Sequence, residues 1–292
     1  MKFLFMNMLL AVMKIACAAT LSSLPGMPPV PDPNNIYADA SANMFSPAVQ
    51  EALNRVYVPN SLDNTVSVID PKTHKVVDTF KVGKLPQHVV PSYDLKTLWV
   101  LNNHSNSMIP INPNTAKPGM AVNIEDPYNL YFTPDGRYVI GVSEEYKQLN
   151  FYDSKTMKLY NSVHVDCAGV NHMNFTADGR FAVATCEFSA QLLKLDLAYQ
   201  KILGYLSLSM PMQSSVVKEL QISRDGNVSL VGDAPHGSMP QDVRLSPDGS
   251  VFYVADMMMN GLILIDPVQF KKIGFIPTGV GTHSVYQAVM AN

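Results

Sequence analysis

Charge is scarce in this sequence. Asp, Glu, Lys and Arg make up 15% of 292 residues, and 24 acidic against 21 basic side chains leave a net charge of −3. A balance so near neutrality offers no basic face for duplex DNA or another polyanion, so nucleic acid is not an expected partner. Cysteine is rarer still, at three residues, and neither Cys-x-x-Cys nor His-Glu-x-x-His occurs, which removes the compact metal motifs. Gly-x-Ser-x-Gly is absent, and so is a Gly-rich phosphate cradle, which removes the nucleophile elbow and the common nucleotide sites. Long amphipathic helical patterns are missing. The best short helix candidate runs from Ser46 to Asn54, with Ser46 as cap and Pro47 at the first helical position. Past the N-terminus no segment approaches the roughly 20 apolar residues of a membrane span.

What the sequence does have in quantity favours strands and turns: 21 Pro, 16 Gly and 13 Tyr. Lys2 followed by the apolar run Phe3 to Met13, with Ala16-Cys17-Ala18 as a small-x-small site, predicts a signal peptide over 1–18 and a periplasmic or secreted protein. Lys14 interrupts the apolar region, and a lipoprotein reading would lipidate Cys17. Residues 19–45, with Pro25, Pro28, Pro29, Pro31 and Pro33, read as a linker that packs little. The remaining domain spans 46–292.

That domain repeats. A second strand recurs as Val56-Tyr57-Val58, Leu98-Trp99-Val100, Tyr138-Val139-Ile140, Phe181-Ala182-Val183 and Phe252-Tyr253-Val254. Tyr57 to Trp99 is 42 positions, Trp99 to Tyr138 is 39, and Tyr138 to Phe181 is 43. Third strands end in Asp70, Asp153, Asp196 and Asp266, and Asp-Gly turns stand at 135–136, 178–179, 225–226 and 248–249. Asp-Gly between apolar alternations marks a hairpin, because Gly takes the positive φ such turns require. Four short strands per period of about 40 predict an all-β fold, a β-propeller of four-stranded blades. One twisted sheet cannot cover both of its faces, so blades must pack on one another in a ring.

Val56-Tyr57-Val58-Pro59-Asn60, Asp63-Asn64-Thr65-Val66-Ser67-Val68-Ile69-Asp70 and Leu245-Ser246-Pro247-Asp248-Gly249 resemble the YVTN repeat, as does Phe252-Tyr253-Val254-Ala255-Asp256. The resemblance covers roughly 55–283 and implies an exported bacterial propeller. It is specific for fold and poor for function. It extends more distantly to haem d1-binding and quinoprotein-associated propellers, and some YVTN relatives bind single-stranded DNA.

Two departures bear on blade number, which this reading leaves at five to seven. Residues 209–237 hold a first and a second strand but no third or fourth, and Asp225 to Asp248 is only 23 positions, so this is a degenerate blade or an insertion. Blade one, starting at Arg55, lacks a first strand. The stretch Thr282-His283-Ser284-Val285-Tyr286 can supply it from the C-terminus and close the ring. The rival reading, a seven-bladed relative short of its last repeats, leaves an open edge.

Counting back six positions from Asp94 in the second blade's turn and from the Asp of each Asp-Gly turn gives His88, Asn129, His172, Glu219 and Asp242, and the terminal strand adds His283. First strands line a propeller's channel, so these six side chains are expected around one mouth. His88, His172, His283 and Asp242 form a candidate transition-metal set, or offer an axial His to a haem-type cofactor, with Asn129 and Glu219 beside them. The competing reading is a hydrated rim whose polar groups bond loop backbone and water. Cys167 and Cys186 are disulfide candidates. Hairpin pairing about Asp178-Gly179 sets Cys186 opposite Asn171, so the incoming loop must fold back to bring Cys167 within reach. Glu144-Glu145 reads as a solvated pair. The expected function is a non-catalytic binding or protein-interaction scaffold, monomeric, with a protein or small-molecule ligand on one propeller face; the alternative is a metal- or tetrapyrrole-binding propeller.

Overall fold

The computed structural model describes residues 23–29, 32, 39, 41–189, 191–207, 218–222, 228–233, 240–246, 248–266, 269 and 271–287. Residues 1–18, expected from the sequence to be a signal peptide, lie outside them. Among the described residues the chain is all β apart from short 3-10 turns. Ser46 caps one of these, its Oγ accepting from the Ala48 amide, but the turn spans only Pro47–Val49 rather than continuing to Asn54.

Among the described residues there are six antiparallel sheets in sequence order. Blade 1 holds Val56–Asn60, Thr65–Asp70 and Lys75–Lys81; blade 2 holds Pro86–Pro91, Leu98–Asn102 and Ser107–Asn112, with two short strands at its outer edge. Blade 3 holds Asn129–Phe132, Tyr138–Ser143, Gln148–Asp153 and Leu159–His164, and blade 4 Val170–Phe175, Phe181–Cys186, Gln191–Asp196 and Lys201–Ser207. Blade 5 is the degenerate unit: Lys218–Ile222 pairs with Val228–Asp233 and neither pairs with another described strand. Blade 6 holds Pro240–Leu245, Phe252–Asp256, Gly261–Asp266 and Lys271–Pro277.

Blade 1 takes its innermost strand from the far end of the chain. Tyr286–Gln287 pairs antiparallel with Tyr57 and Val56, and Thr282 bridges Asn60. The inner edge of blade 1 is therefore filled, not open.

Strand alternation explains how the blades stack. Successive side chains point to opposite faces, so Val56 and Val58 pack with Val251, Tyr253, Ala255 and Leu262 of blade 6, whereas Tyr57 between them packs with Val89, Val100 and Ile111 of blade 2. The same logic joins blade 2 to blade 3 through Leu101, Met108 and Leu130, and blade 3 to blade 4 through Phe151, Leu149 and Leu193. The proline-rich stretch contributes where a loosely packed linker was expected. Leu24 is buried in the core between blades 3 and 4, and its amide bonds the Asp178 carbonyl at 2.8 Å. Composition hides this, because one apolar side chain and one backbone bond suffice to pin a strap.

The Asp-Gly turns follow one plan. Thr133, Thr176 and Ser246 donate their hydroxyls to Asp135, Asp178 and Asp248, and Gly136, Gly179 and Gly249 take positive φ. A Cβ on Gly136 would lie 2.5 Å from the Tyr93 ring, so only glycine fits there.

At the opposite end, in blades 1, 3 and 4 the residue closing the second strand ties down the loop entering that blade. The Gly279 amide donates to Asn60 Oδ1 at 3.1 Å in blade 1, and Ser143 Oγ donates to Asp126 at 3.1 Å in blade 3. In blade 4 the tie is covalent: Cys186 is disulfide-bonded to Cys167, with Cα atoms 5.9 Å apart. Cys186 pairs with Val170 rather than Asn171, because a bulge between Val170 and Met173 shifts the register.

The closing strand generates a test. Tyr286→Ala is expected to lower the free energy of unfolding by about 3–5 kcal/mol, as for other large buried aromatics. Urea unfolding checks this; a loss below about 1 kcal/mol would mean the closing strand carries little of the fold.

Candidate functional site

The inner strands of blades 2, 3 and 4 and the closing segment bring four rings to one mouth. The His88 ring centroid lies 5.5 Å from that of His172, 5.3 Å from that of His283 and 5.4 Å from that of Tyr128. Tyr128 in turn lies 6.2 Å from His172 and 6.5 Å from His283, all edge to face. Bulges fall where the histidines stand, between Pro86 and Val89 and between Val170 and Met173, and re-aim side chains out of the plain alternation.

Hydrogen bonds set each imidazole's tautomer. His88 Nδ1 lies 2.9 Å from the Tyr128 carbonyl and His283 Nδ1 lies 3.1 Å from the Gln87 carbonyl. A carbonyl only accepts, so both Nδ1 atoms carry the proton and both Nε2 atoms hold a lone pair. No hydrogen bond to either Nε2 occurs among the described residues, and neither atom is sealed away as the Gln87 amide oxygen is. His172 is wired in reverse. Its Nδ1 faces the Asn129 amide at 3.3 Å and the Tyr131 hydroxyl at 3.2 Å, and Asn129 also donates to that hydroxyl at 2.8 Å. Its Nδ1 therefore accepts and its proton sits on Nε2.

All three rings are held neutral. Burial first, then repulsion from His283 and His172, pushes His88 well below its ordinary value. Burial lowers His283 to about 4 against the opposing bond to Gln87. His172 opens to the water of the mouth, but the protein atoms around it still lower its pKa through desolvation, with Asp242 opposing and Arg244 assisting. Asp242 itself accepts from the Val285 amide at 3.2 Å and lies 3.6 Å from Arg244 Nε, so it anchors the closing segment. The Glu219 side chain lies outside the described residues.

Counting along first strands misses the other half of this mouth. Tyr128 precedes the counted position, and Glu144 and Glu187 directly follow second strands. Glu144 is half-buried rather than solvated. Burial, then Glu187 and Asp126, raises it to about 7. Glu187 accepts from Asn171 Nδ2 at 2.9 Å. Both carboxylates act on Tyr128, whose phenol is raised by burial first. The position after each second strand was the available signal: Asn103, Glu144 and Glu187 occupy it in blades 2 to 4.

Among the described residues no group of three His, Cys, Asp or Glu side chains is placed to hold one metal ion. His88 and His283 offer Nε2 lone pairs, whereas His172 presents a proton there and its Nδ1 is occupied.

The sequence matches the YNCE-like β-propeller over residues 9–232, more than half its length. The chain belongs to the YNCE-like β-propeller family. Solved structures share this propeller's fold at low identity. Hydrazine synthase from Kuenenia stuttgartiensis is 14% identical with a TM-score of 0.54, covering 82% of this chain and 90% of that one. Dihydro-haem d1 dehydrogenase NirN, in complex with DHE, is 12% identical at 0.57, covering 81% and 75%. The periplasmic gluconolactonase PpgL of Pseudomonas aeruginosa is 17% identical at 0.51, covering 85% and 87%. Identities this low establish the fold alone. No curated protein matches the sequence.

The neutral imidazoles make stability pH-dependent with a definite sign. Unfolded histidine binds a proton near 6.5, and the folded rings resist doing so, so the unfolded chain binds more protons in this window. Their contribution is full above about pH 6.5 and falls away as pH drops toward 4. Glu144, raised in the fold, acts in the opposite direction between about 7 and 4.5. The measurable quantity is therefore a difference. The urea midpoint of the native protein should fall more steeply than that of His283→Gln between pH 7 and 4.5; parallel curves would contradict the site's electrostatics.

Proposed function

We propose that this chain is an exported, non-catalytic propeller that binds a protein or small-molecule ligand at the mouth formed by His88, His172, His283 and Tyr128. The observation that carries the reading is the convergence of these rings with two imidazole Nε2 lone pairs left without a hydrogen bond. Buried polar groups are ordinarily satisfied, so an accessible pair of acceptors on otherwise enclosed rings suits a ligand that donates to them. The non-catalytic reading rests on the histidines' partners. Nδ1 of His88 and of His283 is bound by a backbone carbonyl rather than by a carboxylate, so neither has the acid that orients and charges a general base in a catalytic triad.

The second reading, a transition-metal or haem-type group taken by an axial imidazole, has one observation in its favour. Metal-binding histidines commonly donate their other ring nitrogen to a carbonyl, as His88 and His283 do. Such a group would supply redox or Lewis-acid chemistry; the chain would contribute the two Nε2 donors and the enclosing rings.

Native mass spectrometry with a visible spectrum, on protein isolated from its own compartment, separates the two. The scaffold reading expects a colourless protein, with any bound species of ordinary organic mass and lost in His88→Gln. A stoichiometric metal or tetrapyrrole, lost in the same variant, would replace that reading with the second. The intact mass also tests export: it should begin at Ala19, and a chain retaining Met1 would overturn the periplasmic or secreted assignment.

A further inference from the structure

A second concavity lies away from the mouth. A cavity of about 670 Å³ opens between blades 3 and 4, and a shallower one of about 550 Å³ continues from it past Asn161 and Gln200, between the strands Leu159–His164 and Lys201–Ser207. Thr133 and Asp135 at its head belong to the turn that follows Asn129–Phe132. Six residues separate Asp135 from Asn129 of the mouth, about 20 Å along an extended strand. The two sites are thus at opposite ends of the blade.

The trench is built from aromatic faces and amides. Tyr138, Tyr160 and Tyr199 line it; Tyr138 and Tyr160 lean together with centroids 4.9 Å apart. Tyr160 is 65% exposed and Tyr199 82% exposed, although both stand in a concavity where neighbouring chain could have covered them. Clustered exposed aromatic surface of this kind marks an interaction site. Between the rings, Asn161 Nδ2 donates to Gln200 Oε1 at 3.0 Å, which leaves the Asn161 side-chain carbonyl oxygen and the Gln200 amide N–H groups for a ligand. The Arg137 guanidinium lies 5.4 Å from the Tyr138 ring centroid and makes no salt bridge among the described residues.

These features select a ligand class. The two linings together carry two cations, Arg137 and Lys201, and two carboxylates, Asp135 and Asp166, with His164 beside them, so the trench has no net charge with which to hold a polyanion. Tyrosine faces are electron-rich and take weakly positive C–H groups. Amides, a guanidinium and a carboxylate supply paired donors and acceptors at the edges of whatever stacks there. A ligand with apolar flat faces, hydroxyl-rich edges and an extended shape satisfies all three conditions. We propose that this trench is a second binding site, for a neutral oligosaccharide. The inference is independent of what the mouth binds.

Calorimetry and saturation-transfer NMR with triacetylchitotriose and maltotriose test it. At least one should bind saturably, and Tyr199→Ala should weaken that binding about tenfold. Because Tyr199 is so exposed, this variant keeps the fold. Asn161→Ala, which removes the amide pair but no ring, should also weaken binding, and Met120→Ala, on the far edge of blade 2, should not. Failure of both sugars to bind would overturn the proposal, as would binding indifferent to Tyr199. Retention of a decaproline peptide or of oligo-dT by the trench, with loss in Tyr199→Ala, would overturn it in favour of a different occupant.

Discussion

One strand pairing completes the mouth. Tyr286 and Gln287 lie beside Tyr57 and Val56, and Thr282 bridges Asn60, so the last segment of the chain becomes the innermost strand of the first blade. That pairing delivers His283 to within 5.3 Å of His88, and it lets Tyr286 join the core between blades 1 and 2. Without it the first blade would offer an unpaired inner edge, and the imidazole cluster would lose a member. Asp242 of blade 6 reinforces the closure by accepting from the Val285 amide.

In blades 1, 3 and 4, ties at the ends of the second strands extend the same constraint. Each fixes the loop that feeds an inner strand, and each inner strand presents its mouth residue a few positions later. The chemistry of the tie varies while its job is kept: an amide to backbone in blade 1, a hydroxyl to carboxylate in blade 3, a disulfide in blade 4. The disulfide is thus the blade-4 form of a contact that blades 1 and 3 make by hydrogen bonding. It also holds Glu187 and His172, the neighbours of Cys186 and of the tied loop, at the same rim.

The repeat was legible because period-2 alternation, Asp-Gly turns and terminal Asp residues recur at nearly constant spacing, and each has a local physical cause. The closing strand was legible because blade one visibly lacked a partner. Counting from the turns placed His88, His172 and His283 together. It missed Tyr128, Glu144 and Glu187, because they stand on loops and second-strand ends whose position relative to the first strands only the packed blade defines. It also missed the tautomers: the carbonyls of Tyr128 and Gln87 reach the histidines across blades, and backbone groups leave no mark in sequence. Cys186 was displaced by one pairing step because a bulge is invisible to arithmetic on hairpins. Leu24 read as linker because its neighbours are proline, serine and threonine.

The central claim is that one mouth holds three neutral imidazoles in two different tautomers. Long-range ¹H–¹⁵N correlation spectra of the histidine rings, followed with pH, test it most directly. The account predicts His88 and His283 protonated on Nδ1, His172 protonated on Nε2, and His88 and His283 still neutral at pH 5.5. Three rings titrating together near 6.5, all protonated on Nε2 when neutral, would contradict it.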